Sequence, residues 1–283
     1  MERTSAPDLA RLDAILAPLG RVLVAFSGGV DSTLVLAAAH RALGDAALGV
    51  TGVSPSLAVA ELADARRLAA WIGAPHREIA TYEHLDPRYQ ANAGDRCYYC
   101  KSDLYARLRE ITAAEGFAAI LDGTNLDDLG DVRPGLGAAR EHGVRHPLVE
   151  TGLDKAAVRR LSHDLGLPSW DKPEMACLAS RLPAGTPVSV ERLRRAERAE
   201  AGIRALGFRQ VRVRDHGALG RVEIAVEEMG RLAGGGVAGQ MLAVVRAAGY
   251  AEATIDPRGY RRGGGGGPAA RSNEKEEEGH GRA

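Results

Sequence analysis

The first half of the chain alternates between two hydrophobic periods. Short apolar runs predict buried strands, and the segments between them, which repeat apolar residues at helical spacing, predict helices. The predicted strands are residues 21–26, 46–53, 76–80 and 118–123, and the predicted helices are residues 32–43, 58–73 and 101–116. Because strands alternate with helices, we predict an α/β fold, a parallel sheet with helices on both faces. In such sheets ligands bind at the carboxyl ends of the strands.

The pattern changes after residue 180. A long charged helix is predicted first, and two segments that alternate polar and apolar positions then indicate strands of a half-exposed sheet. The predicted elements are the helix 188–208, the strands 209–216 and 220–226, a helix near 240–248 and a strand over 252–256. We therefore predict a first domain over residues 1–180 and a smaller α+β domain over residues 181–262. Residues 263–283 are rich in glycine and charge without apolar periodicity, which predicts a disordered tail.

Composition narrows the possible partners. The chain has 283 residues, 45% of them hydrophobic, and a formal net charge of zero. It contains no run of the roughly 20 apolar residues that span a bilayer. Its first residues do not resemble a signal peptide, so we expect a cytoplasmic protein with no membrane partner. Nucleic-acid-binding proteins usually carry a basic surface, so the balanced charge favours a small-molecule substrate over a nucleic acid.

The segment SGGVDS lies between the first predicted strand and the first predicted helix. Gly28 and Gly29 allow a tight turn and a close approach to a ligand. The helix start near Ser32 offers free amides and a positive dipole end to an anion, and Ser27 adds a hydroxyl donor. Asp31 can hold Mg²⁺ against phosphate oxygens. The spacing matches neither G-x-x-x-x-G-K-[ST] nor G-x-G-x-x-G.

This loop resembles the PP-loop of N-type ATP pyrophosphatases, which have an adenine nucleotide alpha hydrolase-like fold. The resemblance implies that ATP is cleaved to AMP and pyrophosphate and that AMP is transferred to a substrate oxygen. It implies that Ser54, after the second strand, lies on the adenosine side. The segment LDGTNLDDLGDVRPG resembles the family's second nucleotide-side loop. Its candidate residues are Asp122, Gly123, Thr124, Arg133 and Asp128, the last as a second Mg²⁺ ligand beside Asp31.

Four segments in chain order carry a closer resemblance. They are VAFSGGVDSTLVL, residues 120–148 (which begin with ILDGTN), LGLPSWDKPEMACLASRLPAGT, and RALGFRQVRVRDH. Together they resemble the LarE family, ATP-dependent sulfur transferases that make the nickel-pincer cofactor of lactate racemase. The resemblance implies that the substrate is pyridinium-3,5-biscarboxylic acid mononucleotide. Adenylation gives each carboxylate a good leaving group, and a sulfur nucleophile then forms a thiocarboxylate.

The family resemblance also implies further site residues and partners. Glu200, Arg212 and Arg214 are expected on the substrate side, where guanidinium groups suit phosphate and carboxylate. Arg181 and Lys101, each close to a cysteine, are expected to place anions near the sulfur site. The family further suggests a homo-oligomer, trimer-based or hexameric, and other enzymes of the cofactor pathway as possible partners.

Only three cysteines occur, Cys97, Cys100 and Cys177. Four interpretations remain open: a reversible disulfide between the first two, a zinc site completed by a histidine, sacrificial donation of sulfur by Cys177, and a 4Fe-4S cluster held by all three cysteines. A three-cysteine cluster leaves one iron without a protein ligand, where hydrosulfide could bind. We favour the cluster, which requires the three cysteines to converge at the mouth of the nucleotide site.

Two rival functions also remain open. A PP-loop tRNA thiolation enzyme can carry a C-x-x-C and a distant cysteine, although the zero net charge and the lack of zinc-ribbon cysteines count against it. A non-catalytic ATP sensor could retain the same loop. Turnover of ATP with the biscarboxylate nucleotide or with tRNA separates the three functions.

Overall fold

The computed structural model describes residues 6–130 and 134–260. Its helices and strands follow in chain order. They are α1 (Ala6–Leu16), β1 (Val22–Ala25), α2 (Val30–Leu43), β2 (Ala47–Val53), α3 (Val59–Ile72), β3 (His76–Ala80), α4 (Pro87–Ala91), α5 (Arg96–Glu115), β4 (Ala119–Leu121), α6 (Pro134–Glu141), α7 (Pro147–Glu150), α8 (Lys155–Asp164), α9 (Val190–Ala205), β5 (Val211–His216), β6 (Leu219–Ile224), α10 (Val237–Ala247) and β7 (Glu252–Ile255). The tail predicted over residues 263–283, and Arg133, lie outside the described residues.

Four strands form a parallel sheet in the order β3-β2-β1-β4. Alternate residues of β1 face opposite sides, as the period of a strand requires. Val22 and Val24 pack with α1, α2, α3 and α8, whereas Leu23 and Ala25 pack with α5 and α6. The structure therefore confirms the predicted parallel sheet with helices on both faces. The loops after β1, β2 and β4 leave the sheet at one edge, where the site is built.

Helix α5 begins at Arg96, earlier than the predicted start at residue 101. The segment before it turns at Gly94, which has a φ of 107°. Tyr98 packs on the core beneath the parallel sheet, and Tyr99 packs on a separate cluster around Tyr89. These tertiary contacts, which local sequence does not encode, extend the helix, so the C-x-x-C motif lies within its first turns.

A second, mixed sheet has the order β5-β6-β7, with β5 antiparallel and β7 parallel to β6. It packs with α9 and α10 around a core that includes Phe208 and Tyr250. This confirms the small α+β unit. The expectation of half-exposed strands is wrong for β5, since residues 211–215 are all buried. Its charged side chains are buried because carboxylates and backbone carbonyls pair with them.

A smaller apolar cluster joins the two sheets. Leu178 and Leu182 pack there with Leu193 of α9, Tyr89 of α4 and, at its margin, Cys100 of α5. The segment around residue 180 thus contacts both units, and the boundary at that residue stays a prediction. Within the described ranges, the search for a helix long and apolar enough to cross a membrane found none.

The contact between α9 and α10 gives a test of the second core. An added methyl group at Gly202 of α9 would overlap Val244 of α10, whereas one at Gly239 of α10 would meet nothing within 4 Å. Overpacking costs about 1–3 kcal/mol, and replacing glycine in a helix gains about 1 kcal/mol. We expect Gly202→Ala to lower the free energy of unfolding and the matched Gly239→Ala to raise it, both measured by urea titration. Equal effects of the two changes would contradict the packing described.

Candidate active site

The loop between β1 and α2 is shaped by two glycines. Gly28 has a φ of 70°, and a Cβ there would lie 3.0 Å from the Cα of Ala65 in α3. Only glycine therefore allows the loop to lie against that helix. Gly29 is the N-cap of α2. The hydroxyls of Ser27 and Ser32 are 3.1 Å apart, and the Ser27 amide donates to Ser32 Oγ at 3.2 Å. The loop presents a helix N-terminus with hydroxyls beside it, which suits an anion.

Asp31 in the first turn of α2 is held by residues that are distant in sequence. Lys155 Nζ lies 2.6 Å from Asp31 Oδ2, and Asn125 Nδ2 donates to Oδ1 at 3.1 Å. Lys155 Nζ also lies 3.6 Å from Glu174 Oε1. The carboxylate predicted to hold Mg²⁺ thus faces the loop after β4 and the segment that carries Cys177.

The loop after β4 lies directly against the start of α2. A Cβ at Gly123 would come within 2.6 Å of the Ser32 amide nitrogen, so the close approach requires glycine. Asp128 Oδ2 accepts from the Asn125 amide at 3.1 Å, and the Asn125 side chain reaches the PP-loop aspartate. The structure therefore brings the two predicted Mg²⁺ ligands to one place. Arg133, predicted in the same loop, lies outside the described residues.

Asp122 at the end of β4 is the centre of a buried polar network. Its Oδ1 accepts from the Thr124 amide at 3.0 Å and from His146 Nδ1 at 2.7 Å, and its Oδ2 accepts from the Tyr105 hydroxyl at 2.8 Å. Burial acts to raise the pKa of Asp122, but the His146 hydrogen bond and the charge of Lys101 outweigh it and lower the pKa to about 2. The same hydrogen bond raises the pKa of His146. The loop is fixed by charge as well as by packing.

Lys101 connects this network to the cysteine helix. Its Nζ lies 5.3 Å from the centre of the Tyr105 ring, and Gly135 packs against its stem. The Tyr105 hydroxyl and the carboxylate of Asp122 raise the pKa of Lys101. A fixed positive charge therefore sits next to Cys100 in sequence and beside the loop after β4.

The loop after β2 forms the other side of the site. The Ser54 hydroxyl donates to Glu83 Oε1, and the hydroxyls of Ser56 and Tyr89 are 2.5 Å apart. Glu83 is 2% exposed, and its Oε2 has no hydrogen-bond partner among the described residues. The Leu178 amide donates to the Ser56 carbonyl at 2.9 Å. This last bond holds the residue after Cys177 against the predicted adenosine side.

The three cysteines come from two elements. Cys97 and Cys100 lie in the first turns of α5, and Cys177 is the N-cap of the 3-10 helix Leu178–Arg181. None of them forms a disulfide, and Cys97 and Cys177 are exposed. Burial raises the pKa of the Cys100 thiol above its usual range, and the nearby Glu83 carboxylate adds to this effect. Within the described ranges, no group of histidine, cysteine and acidic residues is arranged as a metal site.

Arg181 is almost completely buried and fully engaged. Its Nε and Nη2 donate to the two oxygens of Glu200 at 2.7 and 2.8 Å. Its Nη1 donates to the carbonyls of Ala176 at 2.6 Å and Cys177 at 3.1 Å. Glu200 also accepts from the Val213 amide at 3.0 Å. The pair therefore fastens the Cys177 segment to α9 and β5.

Two further arginines reach the same segment from β5. Arg214 pairs with Glu223 at 2.9 Å and donates to the Ser180 carbonyl at 2.8 Å. Arg212 donates to the Glu174 carbonyl at 2.7 Å, and its Nε has no partner among the described residues. Burial and the neighbouring guanidinium groups lower the pKa of Arg212. Arg212, unlike Arg214, has no carboxylate partner among the ion pairs of the described residues, so its buried charge suits an anionic ligand.

Two lysines at this site were not predicted. Lys155 contacts the PP-loop aspartate, and Lys172 Nζ donates to the Gly28 carbonyl at 3.2 Å while lying 2.9 Å from both Glu61 and Asp64. The sequence carried one signal that could have found them. The chain has only four lysines, and three of them lie in this site. In a chain that otherwise uses arginine, each lysine was a candidate.

Comparisons with known proteins agree with this geometry. Residues 18–88 match the family model described as asparagine synthase. Pyridinium-3,5-bisthiocarboxylic acid mononucleotide synthase of Lactiplantibacillus plantarum is 40% identical over 229 residues, which cover 80% of this chain and 83% of that protein. The chain belongs to the LarE family. The resemblance stated from the motifs is thereby confirmed, and the chain is a PP-loop enzyme of sulfur transfer.

Two other relatives extend the comparison. An uncharacterized protein of Synechocystis sp. is 44% identical over 255 residues, which cover 90% of this chain and 95% of that protein. An uncharacterized protein of Methanocaldococcus jannaschii is 30% identical over 133 residues, which cover 47% of this chain and 52% of that protein. The similarity to the LarE family member and to the Synechocystis protein therefore covers both sheets.

The contact of Gly123 with the PP-loop gives a test of the nucleotide side. In Gly123→Ala the added methyl group meets backbone atoms of Asp31 and Ser32 and must push the two loops apart. Overpacking of about 1–3 kcal/mol corresponds to roughly a tenfold loss of ATP affinity. Gly130→Ala is the matched control, because its added Cβ meets nothing within 4 Å. Calorimetric titration with Mg-ATP should separate the two variants, and similar affinities would contradict this placement of the nucleotide.

Proposed function

We propose that the protein adenylates the carboxylates of pyridinium-3,5-biscarboxylic acid mononucleotide with ATP and converts them to thiocarboxylates. The observation that carries the proposal is the meeting of three parts at one edge of the parallel sheet. They are the PP-loop, the exposed thiol of Cys177, and the buried guanidinium of Arg212, which has no carboxylate partner among the described ion pairs. The name of the Lactiplantibacillus relative describes the corresponding product.

The nucleotide side supports adenylation. The amides at the start of α2 and the hydroxyls of Ser27 and Ser32 can hold the β- and γ-phosphates, and Ser54 faces the adenosine side. Asp31 and Asp128 are oxygen donors that Mg²⁺ accepts, and the ion would neutralise charge on the departing pyrophosphate. A substrate carboxylate oxygen attacks the α-phosphorus, the bond to the bridging oxygen of the β-phosphate breaks, and pyrophosphate leaves. AMP then becomes the leaving group when sulfur attacks the acyl carbon.

The substrate side is assigned to the buried arginines. Arg212 is the strongest candidate for the mononucleotide phosphate, because an anion there would compensate a buried charge. Arg214 and Glu200 already have partners, so their contribution is to hold β5 and the Cys177 segment in place. Arg181, whose donors are all directed to Glu200 and to backbone or hydroxyl oxygens of the segment, acts in the same way.

Sulfur delivery is assigned to the three cysteines. Cys97, Cys100 and Cys177 are thiols outside any disulfide, a donor set that suits iron and sulfur, and they would together hold a 4Fe-4S cluster. Such a cluster, when bound, supplies an iron without a protein ligand at which sulfide can be offered to the adenylated carboxylate. Lys101 places a positive charge beside Cys100, which favours approach of anionic substrate and sulfide. A cytoplasmic homo-oligomer, trimer-based or hexameric, completes the proposal.

Arg212 can be tested apart from the nucleotide. Loss of a charge-assisted contact costs about 1.5–3 kcal/mol, so Arg212→Ala should raise the KM for the biscarboxylate nucleotide roughly ten- to hundredfold. The affinity for Mg-ATP should stay close to that of the unchanged protein. Arg209→Ala, which removes a mostly exposed guanidinium just before the same strand, is the matched control and should alter neither value. An equal loss of ATP affinity in Arg212→Ala would place this arginine on the nucleotide side instead.

The whole reaction is tested by anaerobic turnover of the full chain with ATP, the biscarboxylate nucleotide and sulfide. We expect AMP to accumulate in a one-to-one ratio with thiocarboxylate, with no ADP and no sulfur incorporated when bulk tRNA replaces the nucleotide. Mass spectrometry of the recovered protein should find Cys177 unchanged after many turnovers. Conversion of Cys177 to dehydroalanine in step with product would show sacrificial donation, and ADP formation would refute adenylation. ATP binding without turnover on either substrate would favour a sensor.

A further inference from the structure

Lys155 joins three parts of the site through one side chain. Its backbone amide donates to Asp127 Oδ2 at 3.2 Å, so the start of α8 is attached to the loop after β4. Its Nζ lies 2.6 Å from Asp31 Oδ2 and 3.6 Å from Glu174 Oε1. The side chain is only 17% exposed. Lys155 therefore bridges the PP-loop and the segment that carries Cys177, three residues after Glu174.

Lys155 Nζ lies against Asp31, where the proposed function puts the Mg²⁺ and the phosphates of ATP. Mg²⁺ binds carboxylate oxygens at about 2.0–2.1 Å and prefers to share them with phosphates. An ammonium group on the same carboxylate repels such an ion. The phosphates bring several negative charges to the start of α2, within reach of Nζ. Lys172, by contrast, is already paired with both Glu61 and Asp64. Lys155 is therefore the lysine that would lose its carboxylate partner, Asp31, when Mg²⁺ binds there.

We propose that Lys155 is a phosphate ligand of bound ATP and that its transfer from Glu174 to the nucleotide loosens the Cys177 segment. The proposal rests on the proposed function, because it takes Asp31 as the Mg²⁺ ligand. In the structure, the part of the segment ahead of Cys177 is held from two sides, in addition to the contacts of Arg181 with the Ala176 and Cys177 carbonyls. Lys155 holds the Glu174 carboxylate from the parallel sheet, and Arg212 holds the Glu174 carbonyl from β5. Binding of ATP removes the first hold and leaves the second.

The consequence is an ordered reaction. The segment that carries Cys177 becomes free to move toward the acyl carbon only when the nucleotide that activates this carbon is in place. Lys155 is thus a binding residue for the nucleotide and a positioning residue for sulfur. Coupling between the two sites is reciprocal. A substitution that loosens the segment in the absence of ATP should therefore reduce the change in Cys177 reactivity that ATP causes.

The test measures alkylation of Cys177 by iodoacetamide in the full-length, reduced and metal-free protein. Peptide mass spectrometry follows Cys177, with the exposed Cys97 as an internal reference. Saturating Mg²⁺ and α,β-methylene-ATP should raise the rate at Cys177 relative to Cys97 by about fivefold or more, the lower range of typical allosteric coupling. Unchanged or slower alkylation in the unchanged protein would overturn the proposal.

Three variants separate the roles. Lys155→Met should bind the analogue roughly tenfold more weakly, as expected for a lost charge-assisted contact. In that variant Cys177 should react quickly with or without the analogue. Glu174→Gln should bind the analogue normally and also show a high rate without it. Arg160→Met, the matched control, removes an exposed positive side chain from the same helix α8 and leaves the Lys155–Glu174 contact, so the response of Cys177 should persist.

The outcomes distinguish this inference from the proposed function. If the unchanged protein does not bind Mg²⁺ and the analogue, both fail. If it binds them while Lys155→Met keeps normal affinity, or keeps the full response of Cys177, only the role of Lys155 is refuted. If Arg160→Met loses the response as completely as Lys155→Met, the bridge to Glu174 is not its cause and the inference is likewise refuted.

Discussion

The buried pair of Arg181 and Glu200 determines where the reactive segment lies. Both side chains are 1% exposed, and removing either partner of such a pair costs about 3–5 kcal/mol because a charge remains buried without compensation. The pair holds because each group is almost fully hydrogen-bonded. The Arg181 guanidinium donates to one carboxylate and to the oxygens around Cys177. The Glu200 carboxylate also pairs with Arg204 and accepts a hydrogen bond from the backbone of β5.

In the rest of the site, too, most charged side chains are paired with groups of opposite charge. Positive groups meet the edge of the parallel sheet from both sides, and nearly all of those described have acidic partners. Asp31 holds Lys155, while Glu61 and Asp64 hold Lys172. Arg212 is the exception among the buried arginines. Most cations of the site are thus held in ion pairs, and one buried guanidinium has no acidic partner among the described residues.

Sequence reasoning succeeded where the cause is local. The turn at Gly28 and Gly29 and the start of α2 follow from neighbouring residues, and so do the strands of the parallel sheet. It failed where the cause is distant. The early start of α5 depends on the packing of Tyr98 and Tyr99. Burial of β5 depends on carbonyls up to 38 residues away, and Lys155 meets its aspartate across 124 residues. The convergence of the three cysteines, which the favoured cluster requires, stays a prediction, since spacing alone left four interpretations open.

The long sequence separations within the site have a consequence for the order of folding. The parallel sheet and the core of the second sheet can each form from residues that lie close together along the chain, but the contact of Asp31 with Lys155 closes a loop of 124 residues. Contacts of this kind lose the most chain entropy and form late. A refolding chain should therefore regain its secondary structure and compactness before it regains a nucleotide site. During synthesis on the ribosome, the PP-loop emerges long before the lysine that completes it, and the nascent chain spends that interval without a finished site.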